Sequence, residues 1–245
     1  MHRAAELIAP ATDFSWLAEI EKDLALVMEP RSKYDRLVDT DRLVEAGLTL
    51  IAEAESSAGT AVARAKVVRD GLMIALLAFC PNRQKNFAAL EIGKTFQKIG
   101  NSWWIVLDRR HTKTRRPDER RVADILTPHI DRYLRQWRPI LLGSKATTNA
   151  LWISSTTGQA LTAKNMGTPI SKVTRECLGV DVSPHLFRTA AASTAAAYGG
   201  RTPHLASAVL GHTDPRVTEE HYNRATSMSA AKTYAEIVEA VMRGD

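Results

Sequence analysis

The stretch SPHLFRTAAAS, residues 183–193, sets a histidine and an arginine one helical turn apart at the start of an alanine-rich run. TPHIDRYLRQW at 127–137 repeats the His-x-x-Arg spacing, and TPHLASAVLGH at 202–212 repeats the opening without the arginine. All three read as helix mouths, with Ser or Thr as N-cap, Pro at the first helical position and His at the second. The faces separate them. In 127–143 the apolar stripe is Ile130, Tyr133, Leu134, Trp137, Ile140 and Leu141, and His129 and Arg132 lie off it beside Asp131, Arg135, Gln136 and Arg138. That is an amphipathic helix with a solvated face. From Thr189 to Gly200 no charge occurs and alanines run all round, the composition of a helix buried on most sides. An arginine buried at its start is costly unless an anion pairs with it, and no carboxylate lies nearby in sequence. His185 and Arg188 point the same way. They read as a site for a negatively charged ligand, and 129/132 as a surface copy.

The charge distribution fits such a ligand. The chain of 245 residues carries a formal charge of +6, but residues 1–60 hold 6 Lys/Arg against 12 Asp/Glu. The remainder holds 27 basic and 15 acidic residues. A basic body of this kind is the footprint of a polyanionic partner, most commonly nucleic acid. The two cysteines, Cys80 and Cys177, have no CxxC spacing, which argues against zinc and against a disulfide framework. The longest apolar run, LMIALLAFC, is far short of the ~20 residues that cross a bilayer. With no signal-peptide pattern at the N-terminus, the expectation is a cytoplasmic, nucleoid-associated protein with no membrane contact.

The elements that must position the pair are mostly helical. TDFSWLAEIEKDLALVMEP has Thr12 or Asp13 as cap, Leu17, Ile20, Leu24 and Val27 on one face, and Pro30 as a stop. Further helices are predicted from Thr40 to Glu55, from Ala61 to Cys80, after Pro81, and again from Thr127. Residues 92–125 break the rhythm with β-branched and aromatic runs around Gly-Asn and a charged, Pro-containing turn, which predicts two or three antiparallel strands. ALWISS predicts one more short strand before Gly158. The fold class is therefore mainly α with a small antiparallel β-sheet.

Other residues join the 185/188 pair in order along the chain. Arg83 sits in a polar break after the apolar helix, Lys113 in the basic turn of the sheet, His212 after a Leu-Gly, and Tyr222 ten residues further on. Arg83, Lys113, His185-x-x-Arg188, Leu210-Gly211-His212 and Tyr222, in this order, resemble the signature of the tyrosine recombinases, the phage-integrase family. The resemblance covers roughly residues 36–245 and implies that family's catalytic-domain fold. One position departs: Asn86 stands where the family usually carries a glutamate thought to support the first arginine.

The resemblance implies a site-specific recombinase or integrase that breaks and rejoins double-stranded DNA through a 3′-phosphotyrosyl intermediate, with no metal or other cofactor. Arg83 and Arg188 would hold the non-bridging oxygens, where charge grows during attack. Tyr222 would be the nucleophile; a phenol of pKa near 10 needs its proton withdrawn at neutral pH, and His185 would assist there. Lys113 would protonate the departing 5′-oxygen as general acid, and His212 would hydrogen-bond the phosphate. Of the other tyrosines, Tyr133 and Tyr234 fall on apolar stripes, Tyr198 ends the alanine-rich helix, and Tyr34 lies in the acidic N-terminal part. Arg109, Arg110, Arg115 and Arg116 surround Lys113 and read as DNA-backbone contacts.

Two alternatives share these residues: strand relaxation like that of type IB topoisomerases, and a catalytically silent DNA-binding module of the same fold. Residues 1–35 read as an acidic helical segment, possible remnant of a preceding DNA-clamp domain, and 36–245 as the catalytic domain. The tail TSMSAAKTYAEIVEAVMR puts Tyr234, Ile237, Val238, Val241 and Met242 on one face. In the family such a tail often docks on a neighbouring protomer, so self-assembly on DNA through the C-terminal helix is expected.

Overall fold

A computed structural model describes residues 2–28, 34–112, 115, 117–143, 147–198 and 210. The chain divides into two compact units, Met1–Asp35 and Arg36–Asp245. The first holds α1, His2–Ile8, and α2, Ser15–Val27. Asp13 accepts a hydrogen bond from the Ser15 backbone N–H at 2.8 Å at the mouth of α2. Of the stripe expected on α2, Leu17 is half-buried and Ile20, Leu24 and Val27 are exposed.

The second unit begins at the last residue of a 3-10 turn, Tyr34–Arg36, and continues with α3, Thr40–Ser56, and α4, Ala61–Phe79. Apolar residues run all round α4, so it must be central, and every residue from Val68 to Ala78 is buried. Helix α3 lies against it at a glycine crossing: a Cβ on Gly71 would meet the Gly47 carbonyl oxygen at 2.6 Å, and the reverse holds too. Within α4, Arg69 donates to the Asp70 carboxylate at 2.9 and 2.6 Å and to the Ile153 carbonyl at 2.6 Å. Arg69 is 2% and Asp70 1% exposed. Breaking a buried pair of this kind is strongly destabilising.

After the short α5, Gln84–Ala88, come β1, Phe96–Ile99, β2, Ser102–Leu107, and β3, Asp118–Arg121. They form a three-stranded antiparallel sheet in that order, with Phe96 opposite Ile105 and Leu107 opposite Asp118. Trp103, Ile105 and Leu107 form the buried face of β2, a period-two pattern. Asp131 fastens the sheet to the helices, accepting from Trp103 Nε1 at 2.8 Å and Lys98 Nζ at 2.7 Å. It is not merely part of a solvated face.

A 3-10 turn, Asp124–Leu126, runs straight into α6, Thr127–Arg132, then a π-helical turn, Tyr133–Trp137, and α7, Arg138–Leu142. Thr127 is therefore not the N-cap the sequence predicts: its backbone is already right-handed helical, and its buried hydroxyl has no hydrogen-bond partner. The π turn accommodates Pro139, which cannot donate to the carbonyl four residues back. The stripe itself is confirmed, with Ile130, Tyr133, Trp137 and Leu141 buried.

ALWISS forms no strand among the described residues. It makes isolated bridges, Glu91 with Ala150 and Ile153 with Ala160. Helix α8, Ala163–Leu178, is capped by the Thr162 hydroxyl and closed by Gly179 in the left-handed region. It contains Pro169, and the sequence pattern predicts no helix there. Helix α9 spans Pro184–Tyr198. Among the described residues no helix is long and apolar enough to cross a membrane.

Candidate functional site

The site begins where α4 ends. Pro81 disfavours a helical conformation at Cys80, which turns to φ −124° and ψ 79°. The Asn82 N–H then donates back to the Cys80 carbonyl at 2.7 Å, and Arg83 takes an extended conformation as N-cap of α5. Helix α5 has only five residues, too few to hold itself, and tertiary bonds secure it. Trp152, fully buried, donates from Nε1 to the Phe87 carbonyl at 2.9 Å, its ring 5.0 Å from that of Phe87. Gln84 donates to the Ala163 carbonyl at 2.6 Å. The 150–163 segment thus fixes where Arg83 stands. Asn86 is half-buried, and its backbone N–H donates to the Arg83 carbonyl at 2.9 Å.

Helix α9 brings the second arginine. Leu186, Phe187, Ala190, Ala191 and Ala192 are buried, and Arg188 among them is 7% exposed. Its guanidinium donates to the Pro81 carbonyl at 2.5 Å and to the Leu210 carbonyl at 2.8 Å. Leu210 in turn packs on Ala192 and Ala195. The sequence leads one to expect an anion as the arginine's partner, and two backbone carbonyls are among the partners it has. A carbonyl satisfies a donor without cancelling its charge. Burial, followed by the neighbouring Arg83 and Arg120 cations, draws the Arg188 pKa down to about 10 against a smaller opposing effect of Asp118. Arg188 is still a cation at neutral pH. A desolvated cation of this kind interacts more strongly with an added anion than an exposed one would.

Arg120 was not among the expected site residues. On β3 it shares the inward face with Asp118, half-buried, and the two form a two-point pair at 2.8 and 2.9 Å. Its side chain is only 12% exposed. Its neighbour along the strand, Arg121, is exposed and pairs with Asp124 at 2.7 Å. Cys80, buried beneath β3, has its thiol pushed up to about 12, by burial first, with Arg120 opposing and Asp118 adding.

His185 does not share the burial of Arg188; it is exposed at the mouth of α9. Arg109, Arg110 and Arg115 are exposed on the connection between β2 and β3. Arg110 and His111 both pair with Asp108 at 2.9 Å, and Arg115 has a left-handed φ of 53°. Lys113, Arg116, His212 and Tyr222 lie outside the described residues, as do Tyr234 and the C-terminal helix expected to carry it. Tyr133 is fully buried and donates to the Leu151 carbonyl at 2.9 Å, and burial pushes its phenol well above the usual range. It is a core residue. Arg132 is exposed and ion-paired with Glu55. Half-buried His129 is shifted down by burial, opposed by Glu55.

No family model and no curated protein sequence matches the chain. Solved structures do. XerH site-specific recombinase bound to difH substrate in a pre-cleavage complex aligns with a TM-score of 0.56 and 19% identity, over 81% of this chain and 53% of that one. XerH on a palindromic difH substrate in a post-cleavage complex gives 0.58 and 16%, over 84% and 53%. XerA recombinase gives 0.54 and 15%, over 84% and 66%. The chain thus spans about half the length of the XerH chains. At these identities the likeness is one of fold: a mainly helical domain with a small antiparallel sheet, as in the catalytic domain of tyrosine recombinases.

Proposed function

We propose that this chain is a site-specific DNA recombinase or integrase of the tyrosine recombinase kind, with residues 36–245 as its catalytic domain. The observation that carries the reading is Arg188. It is a buried cation that donates to the Pro81 and Leu210 carbonyls and feels the Arg83 and Arg120 cations beside it in this fold. A DNA phosphodiester is an anion that two guanidinium forks can hold through its non-bridging oxygens. That grip tightens as negative charge grows during attack.

In this reading the phenolic oxygen of Tyr222 attacks phosphorus while His185 assists removal of its proton. A phosphotyrosyl bond to the 3′ side forms as the bond to the 5′-oxygen breaks, and Lys113 gives that oxygen a proton. His212 hydrogen-bonds the phosphate. Rejoining runs the same steps backwards with a 5′-hydroxyl as nucleophile, so the bond energy is conserved and no cofactor is consumed. The exposed Arg109, Arg110 and Arg115, with Arg116, contact the DNA backbone. The C-terminal helix couples assembly on DNA to activity, and the protein works on intracellular DNA.

The test is incubation with nicked suicide substrates drawn from DNA flanking the gene, followed by a denaturing gel. Wild type should form a covalent adduct. Tyr222→Phe should form none while binding DNA nearly as well, since only the attacking oxygen is lost. DNA binding with no adduct in wild type would point to a silent binding module. Relaxation of supercoiled DNA without partner exchange would point to topoisomerase-like action.

A further inference from the structure

Between the Pro81 carbonyl that receives Arg188 and the Arg83 cap of α5 stands Asn82, which is 1% exposed. Both ends of its carboxamide, Nδ2 and Oδ1, are buried without a hydrogen-bond partner. Only four side-chain atoms among the described residues are in this condition, and two of them belong to Asn82. A primary amide offers two donors and an acceptor with two lone pairs. Burying all of them unpaired destabilises the protein. Leucine, with the same branching and number of heavy atoms but apolar, would remove that penalty at this position.

The location narrows the explanation. The backbone of Asn82 makes the 2.7 Å bond to Cys80 that shapes the turn, and a leucine would keep that bond. What asparagine adds is the amide alone, in the one turn that links both arginines. A polar group orphaned in the free protein and paired in the loaded one raises the energy of the first state relative to the second. Such differential pairing favours the loaded state, and strain of this kind gathers at functional sites.

We propose that Asn82 is a positioning residue of the strand-cleavage site, its carboxamide gaining hydrogen-bond partners when a phosphodiester enters between Arg83 and Arg188. Arg188 then turns part of its guanidinium from the Pro81 carbonyl to the phosphate. The amide holds the Pro81–Arg83 turn in the geometry that presents both cations. This inference rests on the reading of the site as a DNA-cleavage centre.

The experiment compares wild type with Asn82→Leu, Asn82→Ala and Asn82→Ser, reading thermal stability and single-turnover adduct formation on the nicked substrate over a range of DNA concentrations. Asn82→Leu should melt higher than wild type and need more DNA for half-saturation, because the pairing gained on loading is lost. It should cleave about tenfold more slowly at saturating DNA, because the two cations are less well presented. Asn82→Ser should cleave faster than Asn82→Ala, because its hydroxyl restores part of the pairing. Asn82→Leu as fast as wild type overturns the proposal. So does Asn82→Leu that melts lower or fails to fold, since the amide would then be satisfied in the free protein. Equal rates for the Ser and Ala variants overturn it as well. Absence of any Tyr222-dependent adduct in wild type defeats the underlying reading instead, a result distinct from these.

Discussion

The Arg188 guanidinium donates to the carbonyl oxygen of Leu210 at 2.8 Å, and with its other arm to the Pro81 carbonyl. One side chain therefore ties the turn that carries Arg83 to the chain two residues before His212. Arg188→Ala would leave two carbonyls without their donor, at about 1–3 kcal/mol of stability, and would slow strand cleavage by roughly a hundred- to a thousandfold. Arg132→Ala loses only the exposed ion pair with Glu55, worth about 0–1 kcal/mol, and should leave cleavage unchanged. Denaturant unfolding and adduct formation measure the two effects. Equal losses of cleavage in both variants would reverse the assignment of the two His-x-x-Arg helices.

Binding to DNA should weaken steeply with salt. Arg109, Arg110 and Arg115 are exposed, and each phosphate contact neutralised contributes about −0.9 to the slope of log K against log salt. Alanine at any one of them should flatten the slope by about that amount, with little change in sequence preference. Fluorescence anisotropy at several salt concentrations checks this. An unchanged slope would move the contact elsewhere.

The sheet should loosen in acid through Asp131. Burial raises its carboxyl pKa, but hydrogen bonds from Lys98 and Trp103 outweigh that and leave it below the ordinary value. A carboxyl lowered on folding contributes stability above its unfolded pKa, about 3.9, and loses it as pH falls through the folded value. Wild type should therefore lose more stability than Asp131→Asn between neutral and strongly acid pH, and the two should converge at the acid end. Parallel curves in denaturant titrations would show that the carboxylate contributes nothing.

Gly71→Ala tests the crossing of α3 and α4. The added methyl would lie 2.6 Å from the Gly47 carbonyl and 3.1 Å from Ile51 and Leu50. Overpacking of this kind costs about 1–3 kcal/mol. The melting temperature should fall, while adduct yield per folded molecule stays at the wild-type level. A neutral substitution would mean that the helices can move apart freely.

The contrast between α6 and α9 was legible in the sequence because burial is a property of a whole helical surface. Charges on one side of residues 127–143 and none in 189–200 already separate a solvated face from an enclosed one. The antiparallel hairpin was legible too, since Gly100-Asn101 and alternating Trp103, Ile105 and Leu107 are local signals. Helix α8 was not, because Pro169 sits inside it and only packing outweighs that. Nor was Thr127, whose expected capping role disappears once the preceding residues already turn helically. The partners of Arg188 lie 107 and 22 residues away and are backbone carbonyls, which every residue has and no residue type announces. Arg120 reads as one more charge in a basic turn until the pleat of β3 directs it inward with Asp118. Residue types and their order carry the expectation of a chemistry; which charges are desolvated together, and which polar groups are left unpaired, depends on distances that arise only when remote segments pack.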